Sequence, residues 1–216
     1  MYKILDKRIQ TPHFYFHYYG FHDKPIQEKV VYMIERMSHP ASLNLNAMNN
    51  HKYPSIVSYD VAPIIPTEYS AYIDNMRSKL RIVFISSHFG GNEPHGLLMI
   101  DVIRRLPSDM FESIAIGTGT RVPSKAFVDA VYGNYHGIGS NDLSARELMS
   151  SLKPDCVVFG EVMNDGTLFT LAQTRFAPIQ ILVMGAPVTS GFSKTIDYFI
   201  SGDRLEHVSK SMKCYF

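Results

Sequence analysis

The chain has 216 residues, of which 45% are hydrophobic, and this is enough apolar material to bury a substantial core. Its 21 Lys and Arg residues nearly balance its 20 Asp and Glu residues, so the net charge of +1 indicates neither a nucleic-acid nor an anionic membrane partner. No apolar stretch approaches the roughly 18 residues of a membrane span, and two cysteines are poor material for a disulfide framework. These features predict a globular protein of the cytoplasm.

The first part of the chain, residues 1–79, differs in character from the rest. Residues 12–23 are rich in aromatic side chains on alternating faces, residues 26–37 have a helical pattern, and residues 38–66 contain four prolines and several asparagines. One strand and one or two helices close little core. We therefore predict that 1–79 is an irregular appendage that packs on the remainder of the chain.

Three histidines in this appendage, His13, His17 and His22, raise the question of a metal site. If the segment is extended, His13 and His17 lie about 13 Å apart, whereas a metal needs both ring nitrogens at about 2 Å. Ordinary packing and hydrogen bonding are favoured over metal binding, and no metal is expected.

From residue 80 onward, short apolar runs alternate with helical patterns. Continuous apolar strands that alternate with helices are typical of a parallel sheet covered on both faces. The sequence thus predicts an α/β, Rossmann-like, mostly parallel sheet with helices on both faces over 80–203, followed by an atypical tail at 204–216. The predicted strands are 80–86, 111–117, 135–139, 155–160, 179–184 and 196–201, and the predicted helices are 93–106, 124–133, 140–152 and 168–176.

Ligands of such sheets bind beyond the carboxyl ends of the strands, where loops and helix N-termini converge. His88, Asn92 and His95 lie in the loop that follows the first predicted strand, and Glu161 and Asn164 follow the fourth. A neutral histidine there could act as a general base or as a hydrogen-bond donor. The alternative is that these polar side chains cap the following helix.

The segment "MGAPVTSGFSKTIDYF" (184–199) follows the fifth predicted strand with glycine, proline and hydroxyl residues. Its small residues would let the backbone approach a ligand closely, and Thr189 and Ser190 offer hydroxyl groups. A plain strand connection with a bend fixed by proline explains the composition equally well.

Several common enzyme signatures are absent from the sequence. The glycines near 90–96 and 137–139 do not form G-x-G-x-x-G, which disfavours a nicotinamide-dependent oxidoreductase. No G-x-S-x-G, H-E-x-x-H, P-loop or C-x-x-C occurs, which argues against the common hydrolases, zinc proteases and nucleotidases.

Three segments together resemble the catalytic region of the O-GlcNAc transferase family of protein glycosyltransferases. They are "RIVFISSHFGGNEPHGLL", "LAQTRFAPIQILVMGAPVTSG" and "IDYFISGD", and they carry the order R-x-A-P-x-Q, G-x-P-x-T-S-G and D-Y-x-I. The resemblance covers roughly 80–203. It implies the first half of a glycosyltransferase-B fold, in which two Rossmann-like domains face a cleft.

The resemblance also implies an activity and a set of site residues. Such a protein transfers GlcNAc or a similar sugar from a UDP-sugar, which is a substrate rather than a cofactor, to Ser or Thr of a protein or peptide acceptor. The G-x-P-x-T-S-G loop of the family faces the cleft near the sugar, which places Gly185, Pro187 and Thr189 there. His88 and His95 are then the catalytic candidates, and Asn92 and Glu161 are candidate substrate-binding residues.

The sequence departs from the family pattern in two places. Relatives commonly carry S-S-D-F followed by a histidine, whereas His88 stands here at the Asp position. The sequence ends at Phe216, where relatives continue into the donor-binding domain. We therefore expect this chain to be inactive alone and to use a nucleotide sugar only if a donor domain is supplied. The alternative hypothesis is a non-catalytic module that binds an acceptor or a glycan.

Overall fold

The computed structural model describes the sheet domain and a few residues before it. The described residues are 25, 28–30, 78–89, 93–119, 122–123, 125–131, 133–139, 142–162, 165–183, 192 and 194–202. Most of the predicted appendage and tail therefore lies outside the described residues. Residues 28–30 are helical, as the pattern over 26–37 predicts, and Val30 packs against the hydrophobic core of the sheet domain.

The described residues form, at the centre of the domain, a six-stranded sheet in which each neighbouring pair of strands is parallel. The strand order is β3-β2-β1-β4-β5-β6, which is the order of the Rossmann fold. The predicted Rossmann-like α/β class is thus confirmed. The strands are β1 (Leu80–Ser86), β2 (Phe111–Gly117), β3 (Tyr135–Gly137), β4 (Cys156–Phe159), β5 (Ile179–Val183) and β6 (Tyr198–Ile200).

Helices cover both faces of the sheet, because successive strand residues point to opposite sides and both sides are apolar. Phe84 of β1 belongs to a core cluster that also contains residues of the first two helices, whereas Val83 and Ile85 belong to a cluster with residues of the last two. The helices are α1 (Pro94–Arg105), α2 (Lys125–Ala130), α3 (Asp142–Leu152) and α4 (Gly166–Leu171).

The helix predicted over 168–176 is the element whose position differs most from the prediction. It spans Gly166–Leu171, because the Asp165 carboxylate accepts a hydrogen bond of 2.9 Å from Leu168 N and so caps the helix two residues earlier than predicted. It ends early because the following residues form a turn, in which Phe176 N donates to Gln180 Oε1 at 2.7 Å. Neither of these two hydrogen bonds can be predicted from the helical periodicity of the sequence.

The strand order changes direction between β1 and β4. From β1 the chain moves to β2 and β3 on one side, and from β4 it moves to β5 and β6 on the other. The chain therefore leaves β1 and β4 toward opposite sides of the sheet, and in Rossmann-like sheets the carboxyl edge between two such strands forms a crevice. This crevice is where a Rossmann-like sheet most often holds a ligand.

Candidate functional site

The loops after β1 and β4 lie next to each other at the carboxyl edge of the sheet. Ile85 pairs with Phe159 in the parallel register, and Gly160 N donates a hydrogen bond of 2.9 Å to Ile85 O. The sequence predicts that the loops at 88–96, 161–166 and 185–191 share one edge. This is confirmed for the first two loops where they are described, and the third lies outside the described residues.

Glu161 places a buried carboxylate at this edge of the sheet, since the residue is 1% exposed. Its Oε2 accepts a hydrogen bond of 2.6 Å from Ser86 Oγ, and its Oε1 accepts two of 2.6 Å from Ser87 N and Ser87 Oγ. Burying a carboxylate is costly unless donors surround it, and here three donors from the end of β1 do so. The carboxylate consequently ties the loop after β4 to the end of β1.

Ser86 extends this connection to the first candidate histidine. While its hydroxyl donates to Glu161, its oxygen accepts a hydrogen bond of 3.0 Å from His88 N. The backbone of His88 is therefore held in place relative to the buried Glu161 carboxylate through one serine hydroxyl.

Gly160 lets the two strand ends approach closely. A Cβ atom added at this position would lie 3.1 Å from Ser86 Cβ and 3.2 Å from Ser86 Oγ, which is tighter than ordinary van der Waals contact. A glycine at the end of β4 thus leaves room for the serine that contacts Glu161.

The His88 side chain is paired with an acid from the same loop. His88 Nδ1 lies 2.5 Å from Glu93 Oε2, and the two side chains are 23% and 39% exposed. A carboxylate accepts hydrogen bonds, so Nδ1 is the protonated nitrogen of a neutral His88 ring. Its Nε2 then carries the lone pair.

His95 comes from the first turn of α1 and reaches across the crevice. Its Nε2 lies 2.5 Å from Gly160 O. Because a carbonyl oxygen only accepts, Nε2 donates, and the lone pair of a neutral His95 is on Nδ1.

The structure brings the two predicted catalytic histidines together. The ring centroids of His88 and His95 lie 5.7 Å apart in an edge-on arrangement, with an interplanar angle of 64°. Among the described residues, each ring has a protein partner at one nitrogen and none at the other, which leaves one nitrogen to accept a proton as a general base must. Two such imidazoles, which both remain partly exposed, can receive the proton of a hydroxyl bound in the crevice.

Comparisons with known proteins find similarity in structure. No protein-family model and no curated protein matches the sequence. A solved structure of a mutant O-GlcNAc transferase from Thermobaculum terrenum is similar to this chain, with a TM-score of 0.52 and 20% sequence identity over 63% of this chain. The sheet domain therefore shares its fold with part of that structure. The match covers 26% of the other chain, so this chain spans about a quarter of the length of that transferase.

The sheet domain places three of the predicted site residues at one crevice, namely His88, His95 and Glu161. The other four, Asn92, Gly185, Pro187 and Thr189, lie outside the described residues, as does Asn164. Their predicted roles, and the catalytic or binding roles of the three located residues, remain predictions.

The structure adds four residues that the sequence analysis does not single out: Ser86, Ser87, Glu93 and Gly160. The two serines stand at the end of a strand and the glycine directly after another, which is a usable signal for a ligand edge. Glu93 has no such signal, because an acid just before a helix is commonly a surface or capping residue.

The described part of the chain contains neither a candidate metal site nor a candidate membrane span. Within that part no group of three or more His, Cys, Asp or Glu side chains could hold a metal ion. None of its helices is long and apolar enough to cross a membrane. His13, His17 and His22 lie outside the described residues, so the expectation that they bind no metal stays a prediction.

Proposed function

We propose that residues 80–203 form the acceptor-side domain of a nucleotide-sugar-dependent glycosyltransferase. The proposed reaction transfers GlcNAc or a similar sugar from a UDP-sugar to a Ser or Thr hydroxyl of a protein. The observation that supports it best is the pair of partly exposed histidines, 5.7 Å apart, in the crevice of a sheet with a glycosyltransferase-like fold.

The chemistry assigned to this chain is proton acceptance and positioning of the hydroxyl. As the acceptor oxygen forms its bond to the anomeric carbon, the bond from that carbon to the UDP oxygen breaks, and UDP leaves with the electron pair. The proton of the hydroxyl moves to an unprotonated imidazole nitrogen of His88 or His95. Stabilising the charge on the leaving diphosphate is usually the larger catalytic contribution, and we assign it to a separate donor domain.

In this proposal the remaining predicted residues contribute to substrate binding and not to proton transfer. We assign Asn92, Gly185, Pro187 and Thr189 to binding of the acceptor or the transferred sugar. Glu161 contributes indirectly, because its carboxylate holds Ser86 and Ser87 beneath the crevice.

Acceptor binding can be tested on this chain alone by NMR titration with a pool of Ser- and Thr-containing peptides. We expect chemical-shift changes at His88 and His95, and we expect His88→Ala to weaken binding about fivefold, the equivalent of one hydrogen bond. His136→Ala on the edge strand β3 is the matched control and should bind like the parent. Shift changes spread over the helices instead of the crevice would contradict the proposed acceptor site.

Transfer itself can be tested with radiolabelled UDP-GlcNAc and the same peptide pool. We expect no label in peptide from this chain alone, and label when a donor domain from a related transferase is fused after Phe216. Time-dependent labelling by the unfused chain would show that one domain carries a complete site and would overturn the division into two domains.

A further inference from the structure

Glu93 occupies an unusual place for an acid that precedes a helix. It is the N-cap residue of α1, yet its side chain makes no capping hydrogen bond to the helix. Its carboxylate instead lies 2.5 Å from His88 Nδ1, five residues earlier in the chain. A capping role would direct the carboxylate at the amides of the first helical turn, and the observed geometry directs it at an imidazole.

We propose that Glu93 is a positioning residue, which holds the His88 imidazole in the tautomer that presents Nε2 as the proton acceptor for the incoming hydroxyl. This inference rests on the proposed glycosyl transfer, since it assigns the base of that reaction. Glu93 itself touches neither substrate nor reacting atoms and acts through His88.

The hydrogen-bond chemistry of the pair determines the tautomer. An ionised carboxylate has no proton to donate, so the short contact requires the proton on His88 Nδ1. The ring then has its lone pair on Nε2, and the carboxylate stabilises the imidazolium that forms when Nε2 takes a proton. An orienting carboxylate behind a histidine general base is the same arrangement that hydrolases with catalytic triads use.

The backbone around the pair is fixed independently of Glu93. His88 N is held by Ser86 Oγ, which in turn is held by the buried Glu161 carboxylate. Removing the Glu93 carboxylate should therefore free the ring of His88 without displacing its backbone. This separates a positioning effect from a folding effect.

His95 provides an internal reference in the same crevice. Its Nε2 donates to Gly160 O, so its neutral tautomer is the opposite of that of His88. A change at Glu93 should consequently alter the chemistry of one histidine and leave that of its neighbour, 5.7 Å away, as it was.

The proton and electron balance of the proposed step is complete within the site. The hydroxyl oxygen supplies the electron pair for the new bond to the anomeric carbon, and its proton moves to His88 Nε2. The bond from the anomeric carbon to UDP breaks, and UDP retains the electron pair. The imidazolium later returns its proton to solvent.

The first measurement is the tautomer of each histidine in the ¹⁵N-labelled chain, by long-range ¹H–¹⁵N correlation NMR at mildly alkaline pH. We expect His88 to carry its proton on Nδ1 and His95 on Nε2. A parent protein in which His88 is protonated on Nε2 would overturn the inference without any substitution.

The second measurement is the rate at which diethyl pyrocarbonate modifies each histidine, resolved by mass spectrometry of peptides. We expect Glu93→Gln to lower the rate at His88 about fivefold and to mix its tautomers, because the neutral amide no longer polarises the ring. Glu93→Asp should restore part of the rate, and the rate at His95 should stay within about twofold of the parent.

The matched control is Asp101→Asn on the exposed side of α1, where the carboxylate lies 3.3 Å from Arg105 Nη2. This substitution should change neither the tautomer nor the modification rate of His88 or His95. An unchanged His88 rate in Glu93→Gln, at a melting temperature equal to that of the parent, would refute the positioning role. Neither measurement needs sugar transfer, so a failed peptide titration counts against the proposed function alone.

Discussion

Because Gly160 has no side chain, the ends of β1 and β4 can approach each other closely at the candidate site. It follows β4 directly, and the nearest side chain to its position is that of Ser86, which the ladder of β1 and the Glu161 carboxylate hold in place. A β-carbon there has no room unless one of the two strand ends moves.

We predict that Gly160→Ala lowers the free energy of unfolding by about 1–2 kcal/mol through overpacking. Gly137→Ala is the matched control, since a Cβ at Gly137 would meet its nearest neighbour, Tyr135, at an ordinary 3.5 Å. The control should be neutral or slightly stabilising, because glycine in a strand costs conformational entropy. Urea unfolding of both variants tests this, and equal losses would show that Gly160 is not a close-approach position.

Cys156, at the start of β4, carries a partly buried thiol with a shifted pKa. Burial, with Asp197 and Asp155 as smaller contributions, raises the pKa of the Cys156 thiol from 9.0 to about 12. The thiol therefore stays protonated in the folded chain at a pH where it ionises in the unfolded chain. Above pH 9 the unfolded state binds fewer protons, so the stability contributed by the neutral thiol declines.

We predict that the free energy of unfolding of the parent falls between about pH 9 and pH 12. Ionisation of Cys156 should contribute up to about 1.4 kcal/mol per pH unit to this fall. Cys156→Val, which keeps the shape of a strand residue without an ionisable group, should show a flatter decline. Chemical denaturation at several pH values measures the difference. Parallel pH profiles for parent and variant would mean that the thiol ionises equally in both states.

Among the elements, the connection from α4 to β6 is held by one arginine. Arg175 donates to both carboxylate oxygens of Asp197, at 2.7 and 2.9 Å, and also to Pro178 O and Lys194 O. Gln180 adds to this clamp, since its backbone N donates to Asp197 and its side-chain amide donates to Thr174 O and Thr195 O. The R-x-A-P-x-Q pattern thus has a structural role, which is to join three segments of the chain.

We predict that Arg175→Ala costs about 2–3 kcal/mol of unfolding free energy, because it leaves a partly buried carboxylate and two carbonyls without this donor. Arg175→Lys should not restore stability, since an ammonium group cannot reproduce the two-pronged contact. The control is Arg105→Ala, whose partner Asp101 and own side chain are mostly exposed, and which should cost less than about 0.5 kcal/mol. Similar losses for Arg175→Ala and Arg105→Ala in urea would refute the clamp.

At the scale of the whole molecule, stability is expected to fall from the centre of the sheet to its edges. β1 has seven residues and pairs on both sides, and Val83 and Ile85 are completely buried. The edge strands β3 and β6 have three residues each, and both ends of β6 are exposed.

We predict that the amides of β1 exchange with solvent only when the domain unfolds globally, whereas those of β3 and β6 exchange through local opening. Native-state hydrogen exchange should give β1 amides the same free energy as denaturant unfolding, and clearly lower values at both edges. Amides of β3 as protected as those of β1 would contradict this picture of the domain.

The sequence predicted the class of the fold and each of the six described strands, with β1 and β2 at their observed bounds. Buried parallel strands leave continuous apolar runs in the sequence, and local patterns detect such runs. It misplaced α4, since a cap at Asp165 and a turn closed by Gln180 depend on individual hydrogen bonds and not on periodicity. It also indicated that His88, His95 and Glu161 follow strands and so lie at a ligand edge.

Only the tertiary structure decided how those three residues are connected. The bonds from Ser86 and Ser87 to Glu161 span 75 and 74 residues, and that from His95 to Gly160 spans 65. They depend on β1 pairing with β4, a choice of neighbour that no local pattern encodes. The Glu93 contact is close in sequence, but it required the structure as well, because the carboxylate could have capped α1 or faced solvent. The sequence by itself therefore determined which groups reach the edge of the sheet, and the packing of the strands determined which of them touch.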